Sequence, residues 1–492
     1  MRTRKDYILS LDADRWLFHA DMLVDKAHVV MLKERGIIKK QDVVKILNCL
    51  NKMDSDYFVD HALPSYEDVH TAIESVLIKG IGEDVGGKMH TGRSRNDKVA
   101  TSIRLALRDE LLGIIRNVNE LRSVLLKKAN ENIDTVMPGY THLQHAQPTI
   151  LAHHFLAYAD AFARDFLRLI HAYELVNVCP LGAAAFASTG FPIDRERTAK
   201  LLGFDSVLEN SMDAVTSRDF AIDVISCYAN LMTNLSRLAE EIILWSSSEF
   251  NFVRVSMEYV TGSSIMPQKR NPDYAELIRA RTGTVYGCLM SVLSICKALP
   301  YSYNRDLQEV TPHLLTATNI SASSVSVMKS IVEKLELNKE EMAKQAQVGF
   351  TTATELADTI VRETGVSFRT AHKLVADLVN EGVALKANRG VSEVLNELDA
   401  FSTRAIGKKL SARGLTEKKV TDALNIASSI EKRNIKGGPA KRELRRMIRA
   451  RKTNLEKDDK LVGSKGEKVR KSLDDLAKEV KRKARIITVM KR

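Results

Sequence analysis

One stretch of the chain, Gly262–Asp273 (GSSIMPQKRNPD), contains residue types that suit the binding of an anion. Its glycine and two serines give a loop rich in backbone amides, and Pro267 and Pro272 keep this loop from becoming helical. We expect Asn271 to cap the helix that follows, with Pro272 at the first helical position. A loop that ends on a helix N-terminus presents free N–H groups to an anion, and Lys269 adds a full positive charge. The stretch is therefore predicted to bind an anion, with an ordinary helix connection as the alternative.

A second polar turn, His90–Asp97 (HTGRSRND), places two arginines, a serine and an asparagine ahead of a long apolar-periodic segment. We expect Asn96 or Asp97 to cap the helix that begins here. Cations beside a helix N-terminus predict a second anion site at this turn. The alternative is a solvated charge cluster whose only role is capping.

Long helices must position these turns. Apolar residues recur at steps of three and four in four segments, at about 103–125, 148–177, 224–242 and 278–299. This spacing is typical of helices packed at shallow angles in a bundle, and no convincing run of alternating strand residues separates the segments. Apolar residues on more than one face predict further burial by other subunits. The fold is therefore predicted to be all-α.

Four parts are expected along the chain. They are a mostly helical N-terminal domain (1–100), the long-helix bundle (101–345), a small helical domain (346–440) and a basic tail (441–492). The formal net charge is +12, and the tail alone holds 20 Lys and Arg against 8 Asp and Glu. Because the rest of the chain is electrically balanced, it is not expected to bind nucleic acid.

The tail is predicted to contain a basic helix at about 441–453, a hinge rich in Gly, Asp and Lys, and a second charged helix at about 467–486. We favour a solvated or inter-subunit helical pair, and binding of nucleic acid or ribosomes through the tail is the alternative.

The composition also indicates the expected cellular location of the protein. No segment of about 20 apolar residues predicts a membrane span, and the N-terminus lacks the long apolar run of a secretory signal. The five cysteines are odd in number and show no CxxC spacing, which predicts reduced thiols and neither zinc nor disulfides. A cytoplasmic protein is expected.

The loop GSSIMPQKRNP resembles the GSSxMPxKxN loop of the fumarase/aspartase superfamily. Within that superfamily, further turns over about residues 5–440 resemble the argininosuccinate lyase family; they are SLDAD, EDVH, HTGRSRND, GYTHLQHAQP, FPIDRE, NSMDAVTSRDF and YNRDLQE. The resemblance implies reversible cleavage of argininosuccinate into arginine and fumarate without a metal or cofactor. It also implies a three-domain fold and a homotetramer with a twenty-helix core, in which each active site gathers turns from three subunits.

The implied reaction removes a weakly acidic proton next to a carboxylate and passes through an aci-carboxylate dianion. It needs a base and fixed donors around that carboxylate. By the resemblance, Ser263 is the base, His142 acts on the acid side and Glu276 orients the histidine across a subunit boundary. Lys269 and Asn271 hold the carboxylates on the fumarate side.

The resemblance also assigns substrate contacts. The succinate part is contacted by Ser94, Arg95, Asn96 and Thr141. The arginine part is contacted by Ser10, Tyr303 and Gln308. Asp68 and His70 form a further pair near the substrate, and Arg218 matches a contact that sets conformation. His145 and His154 are interpreted as structural.

Two residues depart from the family pattern. Thr311 stands where many members have a substrate-binding lysine, so that contact is either lost or supplied elsewhere. Lys98 replaces a usual glutamine and faces either solvent or the substrate cleft. Another lyase of the superfamily, acting on adenylosuccinate for example, and a structural lens-crystallin role are the competing functions.

Overall fold

The computed structural model describes residues 11–53, 58, 60, 63–381 and 390–484. It is 72% helical with few short strands, which confirms the all-α prediction. Within these ranges, no helix is both long enough and apolar enough to cross a membrane.

The helices of the described ranges follow the chain in this order: α1 (Leu11–Glu34), α2 (Lys40–Asn51), α3 (Val69–Ile81), α4 (Glu83–Gly86), α5 (Arg95–Glu131), α6 (Leu151–Val176), α7 (Arg195–Leu202), α8 (Ser211–Thr216), α9 (Asp219–Ser246), α10 (Asp273–Cys296), α11 (Val310–Glu333), α12 (Lys339–Gln345), α13 (Ala353–Thr364), α14 (Phe368–Asn380), α15 (Val391–Ile406), α16 (Glu417–Leu424), α17 (Ile426–Glu431) and α18 (Lys441–Ala484).

The strands form four two-stranded sheets. An antiparallel hairpin joins β1 (Val136–Thr141) to β2 (Gln144–Ile150). The others pair two residues each: β3 (Val178–Cys179) with β4 (Ser206–Val207), β5 (Val253–Arg254) with β8 (Glu336–Leu337), and β6 (Thr261–Gly262) with β7 (Arg270–Asn271).

Five long helices, α5, α6, α9, α10 and α11, pack against one another and form the central bundle. Four of them correspond to the predicted segments, and the fifth, α11, was not predicted. The second segment begins at Leu151 and not near Pro148, because the residues before it are in the β1–β2 hairpin. The expectation that no strand lies between the helices was therefore wrong at this turn.

Two large hydrophobic cores and one small cluster (Ala183, Ala214 and Val215) lie within the described residues. The larger core joins the N-terminal helices, the central bundle and α18, and the second core lies within residues 356–423. The four-part division of the chain stays a prediction. The positions of the two cores nevertheless show that α18 packs on the same core as the bundle.

The tail differs from the prediction, because α18 is one continuous helix of 44 residues with no hinge. Leu455, Val462, Val469 and Leu476 recur every seven residues and are all buried. This seam packs against α5 and α2 of the same chain, and packing of one apolar face stabilises a helix that is otherwise highly charged. Gly466 within the expected hinge lies against Arg116, whose Nη2 would be 2.8 Å from an added Cβ.

The seam predicts a stability effect. Leu476 is 1% exposed, whereas Leu461 on the same helix is 41% exposed. Leu476→Ala should destabilise the protein by about 2–5 kcal/mol, because it removes buried methyl groups and leaves a cavity. Leu461→Ala should have little effect. Thermal unfolding of both variants at one protein concentration measures the difference, and equal melting temperatures would contradict the packing described here.

Candidate active site

One pocket lies where the N-terminal helices meet one end of the bundle. Its walls include five residues that the sequence placed near substrate: Asp68, His70, Arg95, Tyr303 and Gln308. Asp14, Arg218 and Thr311 also line it. Thr311 therefore lies in the wall of the same pocket as these five residues.

The turn before α5 is capped differently from the prediction. Ser94, and not Asn96 or Asp97, is the N-cap residue, and Asp97 completes a capping box by accepting the Ser94 N–H at 3.0 Å. The other Asp97 oxygen accepts the N–H groups of Gly182 and Ala184, each at 2.8 Å. Burial nevertheless raises the pKa of Asp97. Because the cap uses part of the helix N-terminus, fewer of its N–H groups remain for an anion.

Arg95 and Asn96, which follow Ser94, are also held in place. The guanidinium of Arg95 pairs with the carboxylate of Asp68, which itself caps α3 by accepting the Thr71 N–H at 2.8 Å. The Asn96 side chain donates to the Ala185 carbonyl at 3.1 Å. A substrate carboxylate that binds Arg95 must therefore compete with Asp68.

Below this pocket lies a buried charge cluster that we define as Asp21, Asp25, His70, Arg93 and Lys98. His70 Nδ1 lies 2.7 Å from Asp21 Oδ1, and Lys98 Nζ lies 2.7 Å from Asp21 Oδ2 and 3.1 Å from Asp25 Oδ2. Arg93 completes the cluster at 2.6 Å from Asp25. Neither of the two predicted placements of Lys98 was correct, because its side chain is only 3% exposed and is paired inside the protein.

The cluster fixes the orientation of His70 toward the pocket. Burial opposes ionisation of Asp21, but the charges and hydrogen bonds of His70 and Lys98 outweigh it and lower the pKa of Asp21. The stabilisation from ionised Asp21 is therefore present above pH ~4 and is lost as the pH falls through the lowered pKa. Asp14, Asp21 and Asp25 share one face of α1, and that spacing was the signal by which the sequence could have revealed the cluster.

Removal of the buried lysine should destabilise the fold strongly. Lys98→Met leaves two buried carboxylates with less compensating charge, which should cost about 3 kcal/mol, the lower end of the usual range, since His70 and Arg93 remain. A matched control is Lys88→Met, because Lys88 pairs with Asp42 at 2.8 Å but is 42% exposed. That change should cost at most about 1 kcal/mol. Unfolding at pH 7 measures both, and equal losses would contradict the role of burial.

At the opposite end of the bundle, the β1–β2 hairpin carries Thr141 and His142. His142 and Leu143 have φ of 55° and 57°, which makes them the two central residues of a tight hairpin turn. Thr141 and His142 are exposed at this tip. His145 is held within the fold, since its ring nitrogens lie 3.1 Å from the Tyr140 hydroxyl and the Val348 carbonyl.

Near the same end, His154 pairs with Glu241 and packs against Trp245, with ring centroids 4.9 Å apart. These contacts are those of a side chain that holds α6 against α9. They fit the structural interpretation of His154.

The anion-binding loop of the sequence analysis is closed at its base by β6 and β7, which pair Thr261 with Asn271 and Gly262 with Arg270. Ser263 Oγ accepts the backbone N–H groups of Ile265 at 3.3 Å and Met266 at 3.1 Å. Ile265 is 86% exposed, an unusual position for a large apolar side chain. The loop thus surrounds the serine oxygen with amide donors and presents an apolar tip to the outside.

Residues on either side of this loop also lie at the surface. Lys269 and Glu276 are exposed, and Asn271 is half-buried. Asn271 does not cap the next helix as predicted, because it takes part in the β6–β7 pair. Pro272 occupies the N-cap position without a side-chain cap.

The predicted site residues form two groups, one around the pocket with Arg95 and one at the hairpin with His142, and the length of α5 separates them. Its N-terminus carries Ser94 and its C-terminus leads into the hairpin with His142. A helix of 37 residues spans about 55 Å. A pocket built on Arg95 and the hairpin tip of the same chain therefore cannot be one site. Ser10, the remaining predicted contact, lies outside the described residues.

Comparisons with known proteins identify the family of this chain. The family model described as Lyase matches residues 10–287, and the model described as Argininosuccinate lyase C-terminal matches residues 350–431. An argininosuccinate lyase of Methanosarcina barkeri is 53% identical over 450 residues, which cover 92% of this chain and 90% of that protein. The chain belongs to the argininosuccinate lyase family. A further member, from Methanocaldococcus jannaschii, is 44% identical over 94% of both chains.

Solved structures show the same architecture as this lyase. A variant of EDDS lyase with bound fumarate is 33% identical, with a TM-score of 0.86 and coverage of 95% of this chain and 92% of that one. A class II fumarase of Schistosoma mansoni shares the fold at 17% identity and a TM-score of 0.68. The fold thus extends across the superfamily.

Proposed function

We propose that this lyase cleaves argininosuccinate into arginine and fumarate by abstraction of a proton next to a carboxylate. The observation that carries the proposal is the amide-surrounded oxygen of Ser263, in a chain about half identical to argininosuccinate lyases over nine-tenths of its length. The EDDS lyase variant with bound fumarate adds support, because a dicarboxylate occupies a protein of the same fold.

Ser263 is a poor base unless its surroundings favour the alkoxide. The two loop amides that point at Oγ stabilise a negative oxygen more than a neutral hydroxyl, and Lys269 adds positive charge to the same loop. His142 acts on the leaving guanidinium nitrogen, and Glu276 orients the histidine. Asn271 and Lys269 hold the carboxylates whose charge grows in the aci-carboxylate intermediate.

The second group of residues binds the rest of the substrate. Ser94, Arg95 and Asn96 hold the succinate part together with Thr141 from the hairpin of a neighbouring copy. Tyr303 and Gln308 contact the arginine part in the pocket that also contains Asp68 and His70. Ser10 belongs to this set by resemblance.

A complete site requires association of several copies of the chain. The separation of about 55 Å along α5 excludes one chain as the source of both groups. Exposed apolar side chains supply the contact surface, because Tyr286, Met290 and Leu293 form a stripe on α10 at steps of four and three. We infer a homotetramer in which α10 helices meet in a twenty-helix core and the hairpin and loop of neighbours complete each pocket.

An ultraviolet assay for fumarate tests the proposed reaction. Purified protein is given argininosuccinate and adenylosuccinate in separate reactions. Fumarate release from argininosuccinate alone is expected. Release from adenylosuccinate alone would assign the chain to another reaction, and release from neither would favour a structural role.

The tail helix binds to the rest of the same chain and not to a nucleic acid. Arg451, Lys465, Lys468 and Lys483 of α18 pair with carboxylates elsewhere in the chain. A solvated or inter-subunit pair of tail helices is replaced by a single helix on the same chain. A cytoplasmic location completes the proposal.

A further inference from the structure

The pocket that receives the arginine part of the substrate contains a buried cation that forms no ion pair with any described residue. Arg218 is 4% exposed and lines the pocket together with Tyr303, Gln308 and Thr311. Its Nη1 donates to the carbonyls of Ser217 at 2.9 Å and Val215 at 3.4 Å. Its Nε has no hydrogen-bond partner, and within the described ranges the side chain forms no ion pair.

A guanidinium in this state is costly for the free protein. Burial lowers the pKa of Arg218 to about 10, although it stays protonated at neutral pH. The carboxylate of Asp68, which shares the pocket, is already paired with Arg95. A carboxylate from a ligand would offset the cost of the buried charge and would gain a charge-assisted hydrogen bond.

Thr311 sharpens the inference. It lines the same pocket and is 6% exposed. By the family resemblance, it stands where many members have a substrate-binding lysine. With threonine at this position, two arginines line the pocket, and Arg95 is the one already paired with Asp68. Among the described residues, Arg218 and Thr311 line the same pocket and Arg218 forms no ion pair there.

We propose that Arg218 binds the α-carboxylate of the arginine part of the substrate and so takes over the function of the lysine missing at Thr311. The proposal rests on the proposed function and assigns Arg218 a direct contact with substrate, beyond the conformational contact that the sequence suggested. It makes the pocket selective for a free amino acid end over its decarboxylated analogue.

Direct binding of arginine and agmatine tests this selectivity, because agmatine is arginine without its carboxylate. Calorimetry on the wild-type protein should show arginine binding about 10- to 100-fold more tightly than agmatine, as expected for one charged hydrogen-bonded contact. In Arg218→Met, the affinity for arginine should fall to that for agmatine, while the affinities for agmatine and fumarate stay unchanged. The double variant Arg218→Met with Thr311→Lys should recover most of the preference for arginine.

Two outcomes would overturn the inference. Retention of the arginine preference in Arg218→Met would show that another group holds the carboxylate. An equal loss of affinity for arginine, agmatine and fumarate would show that Arg218 supports the fold through the carbonyls of Val215 and Ser217. Fumarate release by the wild type is measured in parallel, and its absence together with intact arginine selectivity would contradict only the proposed reaction.

Discussion

Replacement of Ser263 by alanine should lower kcat by about 10³-fold or more, while substrate still binds. The change removes the only atom that accepts both the Ile265 and the Met266 amide within the described loop. The amides and Lys269 remain, so the binding of carboxylates is kept, whereas the proton next to the carboxylate has no base. Fumarate release measures kcat, and calorimetry with fumarate measures binding.

Ser264→Ala is the matched control for this prediction. It deletes a neighbouring hydroxyl in the same loop, and most of the turnover should remain. Rates close to wild type in Ser263→Ala would remove this residue from the mechanism. Equal losses in both variants would indicate that the loop conformation, and not one oxygen, is needed.

Replacement of His142 by asparagine should slow turnover by about 10²- to 10⁴-fold, the usual contribution of a general acid or base. His142 is exposed at the tip of a tight hairpin turn, and asparagine tolerates the positive φ of 55° found there, so the backbone should be kept. The control is His145→Gln on the same hairpin, which should keep most of its activity. A His142→Asn variant as fast as wild type would exclude the residue from proton transfer.

Mixing the two inactive variants tests whether sites are shared between chains. If His142 and Ser263 of one site come from different subunits, random reassembly of Ser263→Ala with His142→Asn should restore up to about a quarter of the sites. If both residues of a site come from one chain, every site keeps a defect and no activity returns. Subunit exchange must be verified with two differently tagged copies, and absence of recovery in assemblies that have exchanged subunits would contradict shared sites.

Much of the fold and site followed from patterns that are local in the sequence. Apolar residues at steps of three and four predicted four of the five bundle helices, because the buried face of an amphipathic helix contributes an apolar residue at every turn. The combination of GSSIMPQKRNP with HTGRSRND and YNRDLQE was sufficient to predict the family that the comparisons then showed. The residues that meet in the pocket, such as Asp68, Arg95 and Tyr303, were predicted as neighbours of substrate only through that resemblance.

Features that depend on distant partners were decided by the tertiary structure. Lys98 is buried because Asp21 and Asp25 lie on another helix, more than 70 positions earlier in the chain. The β1–β2 hairpin carries Pro138 opposite Pro148, and prolines in both strands hid its strand character. The tail helix continues through its glycines because its apolar seam is covered by α5 and α2.

The sequence by itself therefore determined four of the five bundle helices, which turns hold the polar groups, and which family they indicate. Only the tertiary structure decided which charges are paired, that Arg218 has no ion pair among the described residues, and that the two groups of predicted site residues lie at opposite ends of α5. The physical reason is range: helix periodicity and turn chemistry act over a few residues, whereas ion pairing and burial depend on helix packing that brings remote residues together.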